Sequence, residues 1–272
     1  MYMEDINIKE FSNLKEILSK TYYIISDEKI EKIIEMIKKT NPRKLISKKN
    51  ILIKQSSGRS FLVLSDFIAI KCFTLKDNYL ADLRPILKLN QIGYKHIVKL
   101  IDYNSDYNLM GIERLKTIYE DTKLLKEFVK IGFIKNLIVV ILSSIFNLYV
   151  YNSQINKDFS ISNVGIDNNG VIKVFDFELC CYIDKENKFK SKVELYQSFK
   201  SFMDELIQSV DLLSIKKELT LFIDDFELKF TDLNIYENPD YEGKYKKTKV
   251  RSFKFLDFNS IIDYVMKWKK ID

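Results

Sequence analysis

Asn156-Lys157-Asp158-Phe159-Ser160-Ile161-Ser162-Asn163, followed by Val174-Phe175-Asp176-Phe177-Glu178, is the stretch that decides the fold. Asp158 and Asn163 stand five residues apart, and Asp176 follows Asn163 by thirteen. Between the two segments, Val164 to Ile166 and Val171 to Phe175 flank Asp167-Asn168-Asn169-Gly170. A Gly- and Asn-rich turn between two β-branched runs predicts a hairpin. Upstream lies the most apolar run of the chain, Leu137 to Val150, interrupted by Ser143, Ser144 and Asn147. It is short for a membrane span of roughly 20 residues and predicts a buried core helix.

These segments resemble the catalytic loop and metal-binding motif of protein kinases and their relatives, H-R-D-x-x-x-x-N followed by D-F-G. Both intervals match, and the hairpin falls where the family has one. The resemblance implies phosphoryl transfer from ATP. The transferred group is polyanionic, so magnesium must neutralise it, and Mg2+ takes hard oxygen ligands. By resemblance, Asn163 and Asp176 supply those ligands, while Asp158 orients the attacking hydroxyl and accepts its proton. Phe67-Ile68-Ala69-Ile70-Lys71 looks like the V-A-I-K strand, whose lysine contacts the α- and β-phosphates. Ser57 and Gly58, in Gln55-Ser56-Ser57-Gly58-Arg59-Ser60, lie where the phosphate-covering loop belongs. The segment Met110 to Leu115 looks like the hinge on which adenine docks, with Glu113 and Leu115 at the nucleotide.

Four departures place the chain on an atypical branch. Asn156 replaces the usual histidine or tyrosine. Glu178 replaces the glycine of D-F-G, and glutamate resists backbone conformations that glycine permits. No clear glutamate lies in the helix after Lys71, so Asp82 is the nearest partner candidate and Asp77 a weaker one. No A-P-E follows Asp176, and Ser160 stands where serine/threonine kinases carry lysine. A D-F-E or D-F-D ending is similar to that of choline-kinase-like and aminoglycoside-phosphotransferase-like enzymes.

Outward from this centre, Asn50 marks a change of texture. Before it, Ile6 to Leu18 and Ile30 to Ile37 repeat near the helical period, and Asn41-Pro42 ends the second run. After it, Ile51 to Lys54, Phe61 to Leu64 and Phe67 to Phe73 predict a three-stranded antiparallel meander. A helix is expected around Pro85 to Ile92 with Pro85 in its first turn, then strands at Ile97 to Tyr103 and Leu109 to Glu113. Beyond Leu115 helices are expected at Leu124 to Ile131, Phe133 to Tyr151, Lys192 to Val210 and Asn259 to Lys269. Tyr236 to Arg251 reads as a polar, charged stretch. The expected fold is α+β: an N-terminal helical extension (1–48), a β-rich N-lobe (49–115) and a helical C-lobe (116–272), together a two-lobed kinase-like fold.

Composition narrows the alternatives. The 272 residues carry a net charge of +6, spread along the chain, which is too diffuse to argue for nucleic acid. The basic run from Lys244 to Arg251 is usually a solvated loop. A single histidine, His96, argues against Ser-His-Asp catalysis and against a histidine zinc site. Cys72, Cys180 and Cys181 have no metal-ligand spacing, and a reducing, cytoplasmic compartment is expected. The expected activity is an ATP- and Mg2+-dependent kinase acting on a hydroxyl, with a protein acceptor favoured. A small-molecule kinase stays open, as does a pseudokinase that binds a partner.

Overall fold

The computed structural model describes residues 25–40, 52–56, 59–65, 67–117, 131–183, 186–239 and 245–268. The fold is mixed α+β with small antiparallel sheets. The chain divides into two compact units, Met1–Gln91 with Val98–Leu115, and Ile92–Ile97 with Lys116–Asp272.

The first unit is built on a five-stranded sheet of β1 (Leu52–Ser56), β2 (Ser60–Leu64), β3 (Ile68–Phe73), β4 (Leu100–Asn104) and β5 (Leu109–Glu113). Its spatial order is β1-β2-β3-β5-β4, and all neighbours are antiparallel. Strand residues alternate between the two faces of a sheet. On one face, Ile68, Ile70 and Cys72 of β3 join Phe61, Val63 and Leu109 in a core closed by helix α1 (Asp27–Thr40). Ile30, Ile33, Met36 and Ile37 of α1 fill that core at helical spacing. Gly111 of β5 lets the helix come close: a Cβ there would meet Ile68 Cδ1 at 2.8 Å and Met36 Cε at 2.9 Å. Lys39 pairs with Asp102 at 3.0 Å, and Lys29 donates to the Phe73 carbonyl at 3.0 Å. The texture change at Asn50 is therefore not a boundary of packing, because α1 is one layer of the sheet unit.

The other face of β3 presents Lys71 and Phe73 to helix α2 (Lys76–Gln91), where Phe73 meets Tyr79 edge-on at 5.7 Å. This helix begins well before the expected Pro85, which sits in its interior. Proline removes one i→i−4 hydrogen bond there, but Tyr79, Asp82, Leu83, Ile86 and Leu89 are all buried along the helix. Burial of that stripe outweighs the broken bond. Strand β4 starts at Leu100 rather than Ile97, which instead makes an isolated parallel bridge to Val174 in the second unit.

The second unit is organised by α3 (Ile131–Asn147), which continues as a π-helical turn, Leu148–Asn152, and ends at Ser153 with φ 54°. Together Gly132–Asn152 spans 21 residues, long and apolar enough to cross a bilayer by length and composition alone. The sequence run was shorter than the helix it belongs to. Ile134, Leu137, Ile138, Ile141, Leu142 and Ile145 are buried inside the unit, as in a core helix. Phe146 stacks on Phe258 and meets Phe253 edge-on.

Beyond the site, α4 (Lys188–Ser209) and α5 (Leu213–Phe230) lead to a hairpin of β11 (Thr231–Pro239) and β12 (Tyr245–Phe253), followed by α6 (Phe258–Lys267). The intervening short strands are β6 (Lys116–Thr117), β7 (Gln154–Asn156), β8 (Val164–Ile166), β9 (Ile172–Val174) and β10 (Cys180–Tyr182). The expected polar stretch from Tyr236 to Arg251 is thus largely strand. Arg251 forms an ion pair with Glu227 at 3.0 Å, and Glu227 also accepts from the Tyr196 hydroxyl. Burial and the adjoining carboxylate push the Tyr196 phenol well above its ordinary range. With Arg251 so engaged, the basic run loses one charge from any nucleic-acid surface. The expected helices at Ile6 to Leu18 and Leu124 to Ile131 lie outside the described residues, apart from the first residue of α3.

His96 anchors the β8–β9 hairpin. Its Nδ1 lies 2.8 Å from the Ile172 carbonyl, and its own carbonyl accepts from Val174 N at 2.9 Å. Burial lowers its pKa from the ordinary 6.5. The folded state then binds fewer protons than the unfolded one, so stability rises with pH in this window. Its contribution is complete above about 6.5 and is lost as pH falls from there through the folded value. Urea midpoints measured from pH 8 to pH 5 should fall, and His96→Asn should flatten that slope.

Candidate active site

Asn156 is the residue around which the second unit's site is stitched. It ends β7, which pairs antiparallel with β10 so that Asn156 lies opposite Cys180. That ladder brings the chain before Asp158 alongside the chain after Asp176. The Asn156 side chain is fully buried and completes the join. Its Oδ1 accepts from Asp158 N at 3.0 Å, while its Nδ2 donates to the Asp176 carbonyl at 3.2 Å. Its own carbonyl accepts from Ser198 Oγ of α4 at 2.6 Å. One amide has both a donor and an acceptor, so it can fasten both motifs at once.

Asp158 is exposed, but its main chain is held from both sides. Asn163 Nδ2 donates to the Asp158 carbonyl at 3.1 Å, closing the loop on itself. That bond fixes the amide orientation, with nitrogen inward and Oδ1 approached by Ser162 Oγ at 3.4 Å. The Asn163 carbonyl accepts from Phe175 N at 3.0 Å, which brings the residue before Asp176 onto Asn163. Asp176 itself has φ 66°. A non-glycine residue in this region is strained, although aspartate tolerates it better than most. Behind it Phe177 is fully buried and meets Phe159 edge-on at 6.4 Å. Each motif thus contributes one phenylalanine to a common apolar anchor. The Asn163 and Asp176 side chains offer hard oxygen donors of the kind magnesium takes.

Glu205 of α4 was not legible as a site residue. Its carboxylate accepts from Ser160 Oγ at 3.0 Å and from Ile161 N at 3.2 Å. Ser160 Oγ in turn caps the 3-10 turn Ile161–Asn163 by accepting from Ser162 N at 3.1 Å. Ser160, where lysine was expected by resemblance, is a structural cap gripped by α4. No spacing rule connects residues 45 positions apart, so nothing in the sequence marked Glu205. Glu205→Ala should cost about 1–3 kcal/mol of unfolding free energy, because it leaves the Ile161 N–H unsatisfied. Glu205→Gln should recover part of that, since its carbonyl oxygen still accepts; chemical denaturation of both variants checks the ordering.

In the first unit, Lys71 and Asp82 meet. Lys71 Nζ lies 2.7 Å from Asp82 Oδ2, with side-chain exposures of 5% and 1%, so the pair is buried. Lys71 also sits 5.2 Å from the Phe73 ring centroid. Asp82 is a buried helix residue, whereas Asp77 is exposed in the first turn of α2. Glu113 N donates to the Lys99 carbonyl at 2.9 Å, and Glu113 Oε1 accepts from Lys99 N at 2.6 Å. Leu115 is buried, and Arg114 N bonds the Phe67 carbonyl at 3.2 Å. Ser57 and Gly58 lie outside the described residues. The structure therefore groups Asp158, Asn163 and Asp176 in one unit, and Lys71 with Asp82 in the other. Compared with known proteins, the chain matches no family model and no curated sequence.

Proposed function

We propose that this chain is an ATP- and Mg2+-dependent phosphotransferase with a two-lobed, protein-kinase-like fold, acting on a hydroxyl of a protein serine or threonine. The observation that carries the proposal is the Asn156 side chain, which ties the Asp158 main chain to the Asp176 main chain. Residues that merely matched a pattern by chance would have no reason to share one buried amide.

In this reading Asp158 accepts the proton of the attacking hydroxyl, and its exposed carboxylate leaves room for an acceptor. Asn163 presents Oδ1 because its nitrogen is committed to the Asp158 carbonyl. Asn163 and Asp176 would hold magnesium, which supplies neutralising charge to the phosphates when bound. Lys71, oriented by Asp82, would contact the nucleotide phosphates, with Ser57 and Gly58 covering them and Glu113 to Leu115 at the adenine. These positions extend the sequence resemblance.

Purified protein incubated with labelled ATP, magnesium and cell extract tests the proposal. Label transferred by the wild type and lost in Asp176→Ala supports it. A magnesium-dependent thermal shift with ATP, but no transfer to any acceptor, would turn the reading to a pseudokinase. Transfer to extract depleted of macromolecules would move the acceptor to a small molecule.

A further inference from the structure

A cavity of about 330 Å³ opens in the first unit, where the start of α1 meets the end of β3 and the turn between β4 and β5. Phe61, Phe73 and Tyr107 give it aromatic walls, and Lys29, Asp106 and Asn108 bring polar groups to it. At roughly 30 Å³ per water it has room for about eleven waters, or for a short acyl chain with its carbonyl.

Two of the lining side chains suit one reaction. Among the described residues Lys29 Nζ makes one hydrogen bond, donating to the Phe73 carbonyl at 3.0 Å. Asp106 lines the same cavity, yet Lys29 forms no ion pair among the described residues. A carboxylate partner would hold the amine as an ammonium, whereas a carbonyl accepts from either form and leaves the lone pair of the neutral amine free. Burial lowers the Lys29 pKa from the ordinary 10.5, only partly opposed by the nearby Cys72 thiol. A lysine desolvated among apolar groups is activated as a nucleophile. Asn108, held at φ 50° in the turn, has a side-chain amide with no hydrogen bond among the described residues. Its N–H donors suit the oxygen of a carbonyl under attack.

We propose that Lys29 is an acylation site, taking a short acyl group from a thioester into this cavity, with Asn108 bonding the acyl oxygen. The neutral amine attacks the thioester carbonyl, an N–C bond forms and the C–S bond breaks. The departing thiolate carries off the proton that the amine gives up. The product amide keeps one N–H for the Phe73 carbonyl and buries no charge. No step involves the second unit, so acylation stands apart from the phosphotransfer reading.

The full chain is incubated near neutral pH with the acetyl thioester of N-acetylcysteamine, and each lysine is followed by peptide mass spectrometry. Lys95 and Lys217 serve as references, being exposed and forming no ion pair among the described residues. Lys29 should react at least about fivefold faster than either, and in urea the three rates should converge. Asn108→Gly, which accepts the positive φ without strain, should slow Lys29 by about tenfold or more and leave the references unchanged. In the wild type, labelling of Lys29 should rise at lower pH than labelling of Lys217, since its amine is neutral over a wider range. The proposal is overturned if Lys29 reacts no faster than the references, or if its pH profile coincides with theirs. It is equally overturned if folded Asn108→Gly labels Lys29 as fast as the wild type does.

Discussion

Asp158→Asn should lower phosphate transfer by about a hundred- to ten-thousand-fold, the usual contribution of a general base, while Mg-ATP binding changes by no more than a few-fold. The hydrogen bonds that hold this residue use its backbone N–H and carbonyl, not its carboxylate. Asparagine keeps both and nearly the same shape, so the unfolding free energy should change by no more than about 0.5 kcal/mol. Asp176→Ala should differ in kind, losing transfer together with magnesium-dependent nucleotide binding. The comparison is made with single-turnover kinetics and calorimetric titration on the same preparations. Equal transfer rates in wild type and Asp158→Asn would remove Asp158 from the chemistry.

The second large effect is on stability. Asp82→Ala should destabilise the protein by about 3–5 kcal/mol, because it removes the carboxylate 2.7 Å from a buried ammonium. Lys71→Met leaves Asp82 in the converse position and should be costly by a similar amount. Replacing both, Lys71→Met with Asp82→Leu, should recover most of the loss, since a buried ion pair and an apolar pair of similar volume are often nearly equivalent. Urea denaturation of the four proteins gives the coupling directly. On the proposed phosphotransfer reading, the double variant should fold but should not transfer phosphate. Strict additivity of the two single losses would mean that the pair does not act as a unit.

Legibility followed the range of the interactions. The β-meander was readable because its strands are short β-branched and aromatic runs cut by Ser-Asp and Gly-containing turns, all signals within a few residues. The Asp158, Asn163 and Asp176 intervals were readable because loop geometry fixes chain length. Asp82 was legible as the nearest partner for Lys71, but Pro85, three residues beyond it, was read as the start of the helix and so hid the turn that carries Asp82. The hairpin β11–β12 went unread although Thr248, Val250 and Ser252 alternate with Lys249 and Arg251. The charges drew attention from the period-two pattern beneath them. Glu205 sits on a helix whose sequence gives no hint of which turn faces the loop, and its part follows from tertiary packing alone.

The helix closing the sheet has a practical consequence for anyone dividing this chain into fragments. A protein begun at Asn50, where the texture suggests a fresh start, would uncover Ile68, Ile70, Cys72, Phe61, Val63 and Leu109 together. That is an apolar sheet face of the kind that recruits neighbouring molecules. Such a fragment should precipitate or multimerise, and a synthetic Asp27–Thr40 peptide added in trans should restore a soluble monomer. The same helix keeps the Cys72 thiol buried and pushed up to about 12, so a thiol-reactive dye would report its departure. Labelling of Cys72 is thereby a local gauge of whether the sheet is still covered, independent of any catalytic assay.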